Sequence, residues 1–225
     1  MNRRTALLAL SAAALSAPTA FAQDLRPRTP APAAAPEITA LEGAARAAAV
    51  TRVNQSLNGV QRMQGRFVQS SPGGGQATGT FYLQRPGRLR FEYDPPATML
   101  IVSDGSVVAL RDTALRTTDR TPLRSTPLNL ILGERVDLER NARVMRVAQS
   151  GQWTMVTARD RSGQTDGQIT LNFFGPQAEL RSWDVIDATG ARTRISLSEV
   201  TQPGSFDRNL FRLDDIVENR RNPRR

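Results

Sequence analysis

Residues 77–93 read ATGTFYLQRPGRLRFEY. In the first half Phe81 and Leu83 fall on one face, and Thr80 and Tyr82 on the other. In the second half Leu89, Phe91 and Tyr93 alternate with Arg88, Arg90 and Glu92. A period of two is the signature of half-buried strands, and Pro86-Gly87 supplies the turn between them. Upstream, 66–70 is a short strand that ends at the loop Ser71-Pro72-Gly73-Gly74-Gly75. Downstream, Asp94-Pro95-Pro96 breaks the pattern, Met99 to Val102 is apolar on both faces, and Asp104-Gly105 turns the chain into Val107 to Leu110. Five further strands are expected over 143–149, 152–159, 167–174, 178–187 and 191–200. Ser150-Gly151, Ser162-Gly163, Gly175-Pro176 and Thr189-Gly190 separate them. About ten antiparallel strands in one sheet must curl or close to protect their edges.

Three segments break the strand pattern. Thr39 and Glu42 have capping-box spacing before an Ala-rich run, and Leu41, Ala45, Ala49, Val53, Leu57 and Val60 recur at helical spacing. Residues 112–126 show no alternation and carry Arg116, Arg120 and Arg124. Then Thr126 suits an N-cap, Pro127 a first helical position and Gly133 a C-terminus, which predicts a short greasy helix over 127–132. That helix is either ordinary core or a lid.

The N-terminus reads as an export signal over 1–22. Arg3 and Arg4 precede an apolar run from Ala6 to Ala17 and the triplet Ala20-Phe21-Ala22. The run is shorter than the roughly 20 residues a spanning helix needs. The paired arginines leave both the general and the twin-arginine export routes open. Residues 23–37, with Pro27, Pro30, Pro32 and Pro36, read as a Pro/Ala-rich linker, 38–217 as the folded domain and 218–225 as a basic tail. Net charge is +9. For an exported chain, that excess matches an anionic membrane surface or an acidic partner better than nucleic acid.

The chain has no cysteine and no histidine. Disulfides, thiol nucleophiles, a cysteine-borne lipid anchor and the commonest general base and metal ligand are thereby excluded. The glycine loop at 73–75 lacks the Lys-Ser/Thr ending of a phosphate cradle and precedes a strand. Ser103-Asp104 and Asp214-Asp215 are the tightest polar pairs, without a histidine to drive hydrolysis. No enzyme, cofactor or metal site is expected.

Several motifs follow in order: Phe67-Val68-Gln69, Gly79-Thr80-Phe81, Arg85-Pro86-Gly87-Arg88-Leu89-Arg90-Phe91, Tyr93, Pro96 and Val102-Ser103-Asp104-Gly105. This set resembles the periplasmic outer-membrane lipoprotein carrier family, LolA, over roughly residues 45–213. Val53, Leu57, Val60 and Met63 resemble its first helix, and Thr126-Pro127-Leu128 its lid segment. The resemblance implies a mainly β fold with a few helices: an incomplete antiparallel β-barrel of about eleven strands, with a helical lid over an apolar cavity. It implies a periplasmic monomer that takes acylated lipoproteins from an inner-membrane exporter to an outer-membrane receptor. Family members often continue into a proline-containing C-terminal segment. Here Phe206 to Leu213 leads only to an acidic step and the basic tail, which also allows release straight into a membrane surface. The alternatives are a carrier of another lipid or glycolipid, or an envelope sensor or interaction domain of the same fold.

Strand parity nominates the cavity wall as Phe67, Phe81, Leu83, Leu89, Phe91, Tyr93, Leu100 and Val102, joined by Trp153, Ile169, Leu171 and Phe173. The lid is Pro127, Leu128, Leu130, Ile131 and Leu132. Arg85 shares the parity of Phe81 and Leu83, so its guanidinium leans inward and needs acceptors. The carbonyls at the end of helix 127–132 are the natural ones, and the resemblance makes Arg85 the latch of the lid. N-terminal sequencing of the exported protein is expected to begin at Gln23; a start at Met1 contradicts the signal-peptide reading.

Overall fold

A computed structural model describes residues 36–161 and 167–213. The segment expected to be an export signal, nearly all of the expected 23–37 linker, the expected Ser162-Gly163 turn, the Asp214-Asp215 pair and residues 218–225 lie outside the described residues. The chain begins with β1 (Thr39–Ala40) and α1 (Gly43–Gly59). A meander follows: β2 (Arg62–Ser70), β3 (Gln76–Gln84), β4 (Arg88–Tyr93), β5 (Met99–Asp104), β6 (Val107–Asp112) and β7 (Thr117–Pro122). A 3-10 turn at Leu123–Ser125, α2 (Asn129–Leu132) and α3 (Leu138–Asn141) lead to a second meander. It comprises β8 (Ala142–Ser150), β9 (Trp153–Asp160), β10 (Gln168–Phe174), β11 (Glu179–Ile186) and β12 (Arg192–Thr201).

All strands join one 12-stranded sheet in the order β1-β8-β9-β10-β11-β12-β2-β3-β4-β5-β6-β7. The pairings are antiparallel, and β1 and β7 are left as free edges. One core cluster takes Val147 and Val156 from β8 and β9, Phe173 from β10, and Phe81 and Phe91 from β3 and β4. Val53 and Leu57 of α1 and Leu130 to Leu132 of α2 complete it. Strands far apart in the order share this core, so the sheet curls around the helices. The expected incomplete barrel is thus an open, curled sheet of twelve strands.

The curl is permitted by two cross-strand pairs. Gly65 lies opposite Phe81, and Phe67 opposite Gly79. A Cβ on Gly79 would stand 2.5 Å from Phe67 Cε1 and 2.7 Å from its Cζ. A Cβ on Gly65 would stand 2.6 Å from the Ser198 carbonyl oxygen and 3.0 Å from Phe81 Cε1. Each ring therefore lies over the bare backbone opposite it. Phe67 then meets Phe91 edge-on at 4.6 Å and Tyr93 at 5.0 Å, and Phe91 meets Trp183 at 6.3 Å.

The segment from β7 to β8 crosses between the two edge regions of the sheet and is tied to α1. The Asn58 side chain donates to the Val136 carbonyl (2.7 Å) and accepts from the Val136 N–H (2.8 Å). Asn54 Oδ1 accepts from the Leu138 N–H at 3.1 Å, and Arg46 pairs with Glu139 at 2.9 Å. These bonds satisfy backbone groups that two one-turn helices cannot satisfy themselves.

Several expectations are corrected. Thr39 does not cap α1: it pairs with Gln149 on β8, where the edge offers backbone partners, and α1 starts at Gly43 behind an uncapped Glu42. β7 falls in the stretch 112–126 read as lacking a strand. All six of its residues are exposed, so no burial pattern marks it, and only the ladder to β6 defines it. Thr126 does not cap α2; its hydroxyl donates to the Leu123 carbonyl (2.8 Å) and closes the 3-10 turn.

Replacing Gly79 by Val is expected to cost about 3 kcal/mol or more in urea denaturation, because the opposing ring and strand cannot both move away. Gly59→Ala, with open space around it, stays within about 1 kcal/mol of wild type. Equal midpoints for the two variants contradict the ring-on-glycine account.

Candidate functional site

A cavity of about 430 Å³ opens where α1 ends, beside β2, β3, α2, β11 and β12. Its size is within the range of about 300–1,000 Å³ typical of small-molecule sites. Leu57, Val60, Met63, Leu83, Ile131, Leu180 and Val200 make an apolar wall. Arg85, Gln177, Glu179, Arg181 and Gln202 supply the polar part. Ser56 at the same place donates to the Ala178 carbonyl (2.6 Å) and fixes the β10–β11 turn against α1.

α2 is a single turn, too short to hold itself together. Burial of Leu130, Ile131 and Leu132 fixes it on the core. So does one backbone bond: the Gly87 N–H donates to the Leu132 carbonyl at 2.8 Å. Gly87 has φ +70°, and a Cβ there would lie 2.6 Å from Gly105 Cα. Ser103 Oγ donates to the Gly87 carbonyl at 2.7 Å. The turn that holds α2 is thus itself clamped to the β5–β6 hairpin.

Arg85 sits inside this clamp. It is only 7% exposed, and its N–H donates to the Gln61 carbonyl (2.9 Å). Its guanidinium Nε and Nη1 have no hydrogen-bond partner among the described residues. Burial pushes its pKa down to about 10. The side chain points inward, as parity demands, but the expected bond to the end of α2 is absent. The Leu132 carbonyl accepts from the Gly87 N–H, and Arg85 lies at the cavity wall with Nε and Nη1 unbonded.

Of the residues nominated from sequence, Leu83, Arg85 and Ile131 line the cavity. Phe67, Phe81, Leu89, Phe91, Ile169, Leu171 and Phe173 are buried in the solid core next to it, with Tyr93 partly buried against them. The Tyr93 hydroxyl donates to Gln69 Oε1 (2.6 Å), and burial pushes its pKa up to about 12. Leu128 packs partly buried on the same core, and Pro127 is half-buried at the entry to α2. Three more nominated residues lie on the opposite face of the sheet. Leu100 and Val102 pair with Glu92 and Arg90, which puts them on the outer face. There they pack with Ala109 and Leu213. The C-terminal segment covers that face, so both faces of β5 are apolar. Trp153 also points outward, 39% exposed, with its ring 5.0 Å from Phe174. Leu180 and Val200 were missed because bulges at Asn172/Phe173 and Ser198/Thr201 break the alternation that would have placed them.

The polar groups are engaged structurally. Asp104 Oδ1 accepts from the Ser106 and Val107 N–H groups of its hairpin. Burial pushes the Asp184 carboxyl up, but hydrogen bonds from Arg194, Arg192 and Asn172 outweigh it and hold the pKa below the usual value. Among the described residues no three acidic side chains gather as a metal site. The cavity can therefore shelter an apolar chain beside two arginines, of which Arg181 is paired with Glu179.

The family model for the outer membrane lipoprotein carrier protein LolA matches residues 58–214. The chain belongs to the LolA family. An outer-membrane lipoprotein carrier protein of Methylibium petroleiphilum is 31% identical over 70% of this chain and 80% of its own length. That of Leptothrix cholodnii is 30% identical over 69% and 76%. Among solved structures, a putative outer membrane lipoprotein-sorting protein domain from Vibrio parahaemolyticus has a TM-score of 0.48 at 9% identity, covering 74% of this chain and 97% of that one.

Arg85→Leu is expected to stabilise the fold by about 1–3 kcal/mol at neutral pH, since it removes a buried charge that lacks a partner. The folded pKa, about 10, lies below the ordinary arginine value of the unfolded chain. The unfolded chain therefore binds more protons between these values, and wild-type stability rises with pH across that window. The advantage of the variant is constant below about pH 9 and shrinks above pH 10. Denaturation midpoints at pH 7 and pH 10.5 check this; a destabilised variant at pH 7 contradicts it.

Proposed function

We propose that the protein is a periplasmic carrier that shields the acyl chains of lipoproteins and moves them from the inner to the outer membrane. The reading is carried by one observation: an apolar cavity, closed on one side by a one-turn helix, whose wall includes an unpaired arginine. Family membership and the names of the relatives support it. Each buried CH₂ contributes about 0.8 kcal/mol, so a lipoprotein with two or three chains leaves its membrane only into comparable apolar surface. Cargo passes from an inner-membrane exporter to this cavity, and from there to an outer-membrane receptor or the membrane itself. No covalent bond is made or broken, and no cofactor takes part.

In this account Leu130, Ile131 and Leu132 form the lid, and chains enter by lifting α2 off the core at Ile131. The Gly87–Leu132 bond is then the closure that breaks, and filling can extend toward Leu83, Phe81 and Phe91. Arg85 sets the release. A guanidinium desolvated by bound hydrocarbon makes the loaded state less stable than an all-apolar wall would, and so keeps binding reversible.

The test is loading and unloading of a triacylated lipoprotein between inner- and outer-membrane vesicles. Leu83→Glu is expected to remain folded and bind cargo at least tenfold more weakly. Arg85→Leu is expected to bind at least as tightly as wild type and unload more slowly. Wild-type cargo binding by folded Leu83→Glu contradicts the cavity assignment, and wild-type unloading by Arg85→Leu contradicts the role of the arginine.

A further inference from the structure

The outer face of β8–β10 carries side chains that neither the core nor the cavity uses. Arg143 lies directly opposite Arg159 across the β8–β9 ladder, an arrangement that is unfavourable between like charges unless an anion intervenes. Arg146, opposite Thr157, continues the same face. All three arginines are exposed, and none pairs with an acid among the described residues. Met145, at the bulge between Val144 and Arg146, is 48% exposed. Trp153 alternates with the buried Thr154 and Val156 and shares the outward parity of Arg159. It is 39% exposed, and its ring meets Phe174 on this face. From Trp153 to Arg159 is six residues, about 20 Å of strand.

We propose that this face is a docking surface for an anionic lipid bilayer. Arginines hold phosphate-bearing headgroups, and an indole prefers the boundary between headgroup and acyl chain. Free arginines, an aromatic pair and an exposed thioether on one smooth sheet face meet both layers of that boundary. An acidic protein surface would satisfy the arginines but leave Trp153 and Met145 without a hydrocarbon partner. The placement also suits the cavity. Phe174 is the register partner of Glu179, which lies on the cavity wall with Gln177, Leu180 and Arg181. The aromatic end of the patch therefore adjoins the cavity, and a chain passing between cavity and bilayer crosses little water. Docking itself does not depend on the carrier reading, because it requires only lipid and the cargo-free protein.

Trp153 reports on it. The chain has two tryptophans, and Trp183 is buried at 4% exposure, so a change in emission on adding lipid comes from Trp153. The protein recovered from exporting cells is titrated with vesicles of phosphatidylcholine alone or of phosphatidylcholine with about 30% phosphatidylglycerol, which gives the surface a negative potential. With phosphatidylglycerol the protein is expected to sediment with the vesicles and its emission to shift to the blue. Raised salt reverses both. The double variant Arg143→Gln, Arg159→Gln keeps the wild-type circular dichroism and binds about 25-fold more weakly, from roughly fivefold per arginine. Trp153→Ser also weakens sedimentation. The proposal is overturned by an absence of binding to phosphatidylglycerol vesicles, by equal binding to phosphatidylcholine alone, or by unchanged binding of the double variant. It is equally overturned if polyglutamate captures the protein as well as the vesicles do, since that identifies an acidic polypeptide as the partner.

Discussion

Two phenylalanine rings lie over two glycines across one strand pair, and the architecture depends on that fit. Gly65 and Gly79 have no Cβ, so Phe81 and Phe67 can descend onto the opposite backbone. The β2–β3 ribbon stands at the middle of the strand order, between the meander that runs out to β1 and the one that runs out to β7. Close approach there lets both wings bend toward a shared core. An aromatic cluster through Phe91, Tyr93 and Trp183 then fills the inside of the bend.

A curled sheet with two free edges leaves a stretch that strands do not cover. The chain covers it with segments too short to be stable alone, so each is held from outside. Asn54 and Asn58 hold the backbone at Val136 and Leu138, and Gly87 holds Leu132. Such closure by a few bonds is easier to open than a strand ladder. Next to it lies Arg85, buried and unpaired, on the wall of the cavity. The core is well packed up to that point and then stops short of filling. That combination favours an apolar guest that must also leave.

Much of the sheet was legible because half-buried strands write their burial into alternation, as in residues 77–93. The inward parity of Arg85 followed from the same rule, although its missing partner could not. Where one face is not buried, or both are, alternation fails. β7 has no buried residue and was invisible. Leu100 and Val102 were assigned inward because apolar residues on an outer face need a cover. That cover is a distant segment: Leu213 packs with them, and Phe206 meets Tyr82 at 5.9 Å. Bulges hid Leu180 and Val200 by shifting parity within a strand. Trp153 was grouped with the inward residues of its neighbours, although its own strand places it on the parity of Arg159 and not of the buried Thr154 and Val156.

The carrier account claims that the cavity holds acyl chains belonging to a polypeptide. Native mass spectrometry of the protein isolated from the cells that make it, without added ligand, tests this directly. The account predicts a fraction of the protein bound to acylated polypeptides, released as lipoproteins on activation in the gas phase. Adducts consisting only of free lipid or glycolipid, or protein that is always empty, would contradict it.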